Sequence, residues 1–261
     1  MTNSIETRKC FAKIYGTPSG NCEILKGKLK VKSLLFVIGL VLLTGILIGF
    51  LISPLVFMIW HKAYVIYPIF IVIFATMLYI KRYLEKTCNE FDSFETGIKG
   101  ESIVGNELVY LPSDYTVFHS VKLPSMEWDF DHIVVSPYGV LLIETKNWNT
   151  PIKFEEGHLT YDKENYSRDP VKQLGNQAMA LKEYLQKFTG LEKMWIQGII
   201  CFVGQKLDGV PSGKIENNYF VTNEKMILDL ILNYEHKSIP EKEKGIIIGK
   251  LIDLCQGMND N

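Results

Sequence analysis

Two long apolar runs dominate the hydropathy pattern. Residues 33–60 read SLLFVIGLVLLTGILIGFLISPLVFMIW without a single charge, and after His61 and Lys62 a second run, 63–80, reads AYVIYPIFIVIFATMLYI. A helix needs about 20 apolar residues to cross a bilayer, so both runs predict membrane spans, the second only just. Neither carries the polar stripe of a core helix, and the first begins too far along and runs too long for a secretory signal. Pro54 and Pro68 are expected kinks that contacts within a helical hairpin tolerate.

Beyond the second run the periodicities change. Residues 81–96 (KRYLEKTCNEFDSFET) predict a polar helix leaving the membrane. In GIKGESIVGNELVYLP, residues 97–112, Ile103, Val104 and Leu108 fall at helical spacing, which predicts a helix from near Gly100 to just before Pro112. Short β-type runs follow at 115–121, 129–136 and 139–146, with weaker ones at 151–154 and 158–161. Residues 169–188 give the clearest amphipathic helix, with Asp169 suited to the N-cap, Pro170 to the first helical position, and Val171, Leu174, Ala178, Leu181 and Leu185 as its stripe. The continuous apolar run 195–204 predicts a strand covered on both faces, 218–222 a further strand, and 223–232 and 240–256 two closing helices. Strands with helices before, between and after them predict one α/β domain built on a central mixed sheet.

Charge separates the chain into two parts. Residues 1–80 hold eight Lys/Arg against two Glu, and residues 81–261 hold 20 against 27 Asp/Glu. Basic residues flank both apolar runs, Arg8, Lys9, Lys13, Lys26, Lys28, Lys30 and Lys32 before and Lys81, Arg82 and Lys86 after, with Lys62 alone between them. The positive-inside tendency then puts both ends in the cytoplasm, with Trp60, Tyr64 and Tyr67 as an interfacial belt. The predicted organisation is a basic cytoplasmic arm over 1–32, a transmembrane hairpin over 33–82, a polar linker helix over 83–96 and the soluble domain over 97–261. The arm is expected to lie against anionic lipid, and the cell membrane is the expected location. The acidic balance of 81–261 argues against a non-specific nucleic-acid binder. Cys10, Cys22, Cys88, Cys201 and Cys255 have no metal-site spacing and are expected as plain thiols in a reducing compartment.

The chemistry concentrates in DFDHIVVSPYGVLLIETKNW, residues 129–148. Apolar arms joined by SPYG predict a β-hairpin with Pro137 and Tyr138 at its tip. With a symmetrical turn Asp131 stands opposite Glu144 and Asp129 opposite Lys146, all four on one face because strand side chains alternate. Carboxylates that close raise one another's pKa unless a cation lies between them. Lys146 is one candidate cation and a divalent metal the other, held by Asp131, Glu144 and the Thr145 carbonyl. The competing reading is a surface hairpin with an Asp129–Lys146 ion pair and a solvated carboxylate pair, which would contribute little. His132 points to the opposite face and reads as a core or surface histidine rather than a base. Trp148 and Trp195 read as packing residues.

The ordered set GIKGE (97–101), DFDHIVVSPYGVLLIETKNW and DPVKQLGNQ (169–177) resembles the nuclease-related domain (NERD) family, within the PD-(D/E)xK nuclease superfamily. The resemblance covers about 97–202. It implies a restriction-endonuclease-like fold, with a central mixed sheet flanked by helices. It assigns Asp131 and Glu144 to the metal, Lys146 to catalysis, Glu101 to the first core helix as a contributor to the site, and Gln173 to the helix after the core sheet. The proline that names the superfamily is replaced by Phe130. The function so implied is a membrane-anchored, cytoplasm-facing nuclease dependent on Mg2+ or Mn2+, with DNA as the expected substrate. Its rival is a catalytically inactive module that binds nucleic acid or protein at the membrane. Without the resemblance, Glu101 is an ordinary first-turn acid, favoured by the helix dipole, and Gln173 and Gln177 are surface glutamines one turn apart.

Overall fold

The computed structural model describes residues 11–52, 66–124, 126–155, 158–161, 169–205, 207, 214–215, 219–236 and 238–257. Residues 53–65, with Pro54, Trp60, Lys62 and Tyr64, lie outside them. The chain divides into two compact units, Met1–Asn21 with Thr96–Asn261, and Cys22–Glu95.

The first unit is a seven-stranded mixed sheet in the order β1-β2-β3-β4-β7-β9-β8. Its strands are β1 (Lys13–Tyr15), β2 (Thr116–Lys122), β3 (Asp129–Ser136), β4 (Gly139–Lys146), β7 (Ile196–Phe202), β8 (Lys214–Ile215) and β9 (Tyr219–Asn223). A separate ribbon joins β5 (Lys153–Glu155) and β6 (His158–Thr160). β2, β3 and β4 form an antiparallel meander, and β4, β7 and β9 run parallel. Parallel neighbours need a crossover, and α3 (Pro170–Thr189) supplies it between β4 and β7.

Helices cover both faces of the sheet. On one, Val171, Leu174, Leu181 and Leu185 of α3 and Ile247, Leu251 and Leu254 of the C-terminal helix α5 (Glu241–Gly257) pack with Phe118, Phe130, Ile133, Leu142 and Phe202. On the other, Val104 and Leu108 of α2 (Ile66–Leu108) and Ile227 and Ile231 of α4 (Ile227–Leu232) pack with Val117, Val134, Leu141, Ile143 and Ile199. The expected α/β architecture, a central mixed sheet flanked by helices, is present. All seven β7 residues are buried, as an apolar run covered on both faces requires.

Two expectations need correction. The helix expected to start near Gly100 is the C-terminal part of α2, which runs unbroken from Ile66 to Leu108. Gly100 is there for close approach, since a Cβ would lie 2.8 Å from Asn147 Cβ and 3.5 Å from Thr145 Cγ2. The arm before the first apolar run also contributes to the sheet: β1 pairs in parallel with β2, Ala12 N–H donates to Leu111 O at 2.8 Å, and Lys13 N–H donates to Tyr115 O. Three residues make too short a period-2 signal to separate a strand from a basic tail.

The membrane segment is described in part. In the second unit, α1 (Gly20–Ile52) contains the one described stretch long and apolar enough to cross a bilayer, Glu23–Gly49, with mean hydropathy 2.5 and none of its most apolar window buried. Phe36 of α1 packs on Tyr83 of α2, ring centroids 4.0 Å apart, and Lys26 pairs with Glu95 at 3.2 Å.

Candidate metal-binding site at the open end of the hairpin

The β3–β4 hairpin has the expected register from Ser136↔Gly139 at the tip to His132↔Ile143. Ser136 Oγ braces the turn, donating to Gly139 O at 2.9 Å and accepting from Tyr138 N–H at 3.1 Å. Past His132 the strands part. β3 stays with β2, so Asp129 stands opposite Lys122 rather than Lys146. β4 stays with β7, pairing Glu144 with Ile200 and Lys146 with Phe202. The Asp131 carboxylate bridges the opening, where Oδ2 accepts the Thr145 N–H at 2.7 Å. The expected apposition of Asp131 and Glu144 is therefore met at a splayed end and not within a regular ladder.

Around that opening the residues singled out in the sequence come together. Lys146 Nζ donates to Glu144 Oε1 at 2.6 Å and to Gln173 Oε1 at 3.0 Å, while Gln173 Nε2 donates to the same Glu144 oxygen at 2.6 Å. The helix cap places Gln173: Asp169 accepts from Val171 and Lys172 N–H, and Pro170 opens α3. Glu101 comes from the opposite layer. It lies inside α2, not at a helix start, and Asn147 Nδ2 donates to Thr96 O at 2.8 Å, tying the end of β4 to that helix.

Electrostatics mark the cluster as strained. Burial, first, then the charges of Glu144 and Glu101 push the Asp131 carboxyl well above its usual range; Lys146 and the Thr145 N–H pull the other way without cancelling this. Glu144 is 3 % exposed, and its Oε2 accepts no hydrogen bond from any described group. Buried carboxylate oxygens are rarely left so. Among the described residues no three His, Cys, Asp or Glu side chains converge as a metal-binding group. The donor set is two carboxylates. That suits magnesium, which takes one or two carboxylates and keeps much of its water, better than a metal needing an all-protein cage.

The other expected residues fall as their chemistry dictates. His132 is fully buried, its Nδ1 2.7 Å from Nδ1 of the equally buried His119. Trp148 packs against Tyr161 and Phe202. Trp195 is half-exposed and stacks on His236. Cys88, Cys201 and Cys255 carry free thiols, and burial pushes that of Cys201 up. Sequence reasoning missed Ser120 and Asn147, and Gln177, read from the residues alone as a surface glutamine, is buried, its Oε1 accepting no bond from the described residues. The polar pair His119-Ser120 inside an otherwise apolar strand was the available signal for Ser120.

No curated protein and no solved structure matches this chain. Residues 96–203, the stretch that carries Glu101, Asp131, Glu144, Lys146 and Gln173, match the family model of the nuclease-related domain, NERD.

Proposed function

We propose that this domain is a metal-dependent nuclease of the restriction-endonuclease-like class, cutting phosphodiester bonds in DNA with Mg2+ or Mn2+. The observation that carries the reading is the meeting of Asp131 and Glu144, where Asp131 resists ionisation and a buried Glu144 oxygen lacks a hydrogen-bond partner among the described groups. A divalent cation relieves both conditions. Asp131, Glu144 and the Thr145 carbonyl would hold it, and when bound it supplies Lewis-acid activation and neutralises phosphate charge. Glu144 and Gln173 hold the Lys146 ammonium at the same opening. From there it orients the attacking water or balances charge developing on the phosphate oxygens. Glu101 adds negative charge that favours the cation, and Gln173 fixes Lys146 and Glu144 together.

The apolar runs are read as two passes with both termini in the cytoplasm, on the flanking basic residues. Selective labelling of Lys62 from outside intact cells tests that orientation. Incubating the full chain in detergent with plasmid DNA, or with RNA in parallel, and Mg2+ or Mn2+ tests the activity. Metal-dependent cleavage of DNA that falls on the order of 10³-fold in Lys146→Ala is expected. Cleavage unchanged by that substitution overturns the assignment. The second reading, a non-catalytic module that binds nucleic acid or protein, is favoured by the acidic balance of 81–261. It predicts ligand binding without turnover.

A further inference from the structure

Resting on that reading, we propose that Ser120 is a positioning residue for Asp131, through which the turn ahead of α1 holds the metal-binding end of the sheet in shape. The β2–β3 ladder pairs His119 with His132 and Val121 with Phe130, and the pair between them, Ser120 and Asp131, is the one it skips. Side-chain alternation breaks at the same place. Phe118 and Val121, three apart on β2, share one core cluster, as do Phe130 and Ile133 on β3. Asp131 therefore sits where both of its ladders are interrupted, the one to β2 and the one to β4, which ends at His132↔Ile143.

Ser120 adopts a left-handed φ of 50°. Non-glycine residues rarely do so, and such outliers gather where function holds them. The other described one is Ser19, at φ 58°, in the turn this serine grips. Ser120 Oγ accepts from Gly20 N–H at 3.1 Å and donates to Thr17 O at 3.1 Å. Ser19 is fully buried, and its Oγ reaches Ile98 O of α2 at 3.4 Å. Pro18 sits against Gly105 so closely that a Cβ there would lie 2.5 Å from Pro18 Cγ. Residues 17–20 thus wedge between β2 and α2, the elements that carry Ser120 and Glu101. The hydroxyl of Ser120 ties the first residue of α1, the apolar helix, to the backbone opposite Asp131. The 96–203 match does not include this segment, so the functional domain is longer than that match.

Ser120→Gly separates the two roles of the residue, because glycine keeps the left-handed backbone while the hydroxymethyl group and its two hydrogen bonds are lost. In the full chain in detergent, amide exchange of Thr145, whose N–H is held by Asp131, is expected to speed up about 5–10-fold, the scale of one hydrogen bond. Exchange across β7 and the melting midpoint should stay close to wild type. Mn2+ binding by calorimetry should weaken by a similar factor. Thr145 exchange within twofold of wild type overturns the proposal, as does an equal rise across β7, which would make Ser120 merely structural. If the wild-type chain binds no Mn2+ and Thr145 still loses protection selectively, the metal reading fails and the positioning of Asp131 by Ser120 stands.

Discussion

Asp131 and His132 are neighbours on β3, each part of a polar cluster, and the clusters behave in opposite ways. The histidine pair is neutral and self-satisfied at Nδ1: burial holds His119 down to about 4 and His132 well below its usual range, and one ring donates to the other. The carboxylate cluster is neither. It gathers Asp131 and Glu144 within the field of Glu101, offsets them with Lys146, and leaves a carboxylate oxygen with no described partner. Each cluster leaves a buried polar atom without a partner among the described residues, Nε2 of His132 and Oε2 of Glu144, but the rings are neutral whereas a carboxylate oxygen left so is far costlier and calls for a ligand.

Asp131→Asn tests this contrast most severely. The amide oxygen still accepts the Thr145 N–H, while the charge goes. Metal-dependent cleavage should fall on the order of 10³-fold. The metal-free protein should become more stable at neutral pH by about 1–2 kcal/mol, a rise of a few degrees in melting midpoint, because a disfavoured charge is gone. A variant that lost activity and stability together would make Asp131 an ordinary structural carboxylate.

Acid separates the two clusters by sign. The histidines are neutral when folded and protonate near pH 6.5 when unfolded, so their contribution is present above about 6.5 and is lost as pH falls toward 4, about 3 kcal/mol for His119 alone. Asp131 works against this. Its raised native pKa means the folded state binds the proton more tightly, so its contribution grows as pH falls toward the ordinary carboxylate range. Denaturant titrations from pH 7 to 4 should therefore show a steeper loss in Asp131→Asn than in wild type. Equal slopes would deny Asp131 its raised pKa.

Smaller again is the coupling within the histidine pair. His119→Leu leaves His132 Nδ1 without its partner, and a loss of about 2 kcal/mol is expected. Replacing both by Leu should recover much of that loss, since removing two buried partners together strands neither. Cleavage by the folded fraction should change far less than in Asp131→Asn. A double-mutant cycle on urea midpoints reads the coupling directly.

Legibility in the sequence was uneven. The hairpin register followed from SPYG alone, and the cap at Asp169-Pro170 was enough to put Gln173 in the first turn of its helix. What stayed hidden was set by contacts far apart along the chain. Gly100 looks like a helix break in one dimension and is a contact point for Asn147 in three. The parting of β3 from β4 after His132 arises because each strand keeps its outer partner, which no local pattern states. β1 is three residues long and separated from β2 by two helices, so neither its existence nor the tie from Gly20 to Ser120 leaves a trace in periodicity.

The finest discrimination is a proton count. If Asp131 is held protonated by burial and by its two acidic neighbours, a divalent cation must displace that proton, because the ligand is the carboxylate. Metal binding should release up to one proton between the ordinary carboxylate range and the raised native pKa of Asp131. Across that window the apparent affinity should rise by at most tenfold per pH unit and then level off. Calorimetry with Mn2+ in two buffers of different ionisation enthalpy gives the number directly, and in Asp131→Asn it should drop toward zero even where weak binding persists through Glu144. The histidine pair should contribute nothing to the count at neutral pH, since both rings are already neutral. A count near zero in place of a release would mean the cation finds Asp131 already ionised, and the strain attributed to that carboxylate would be gone.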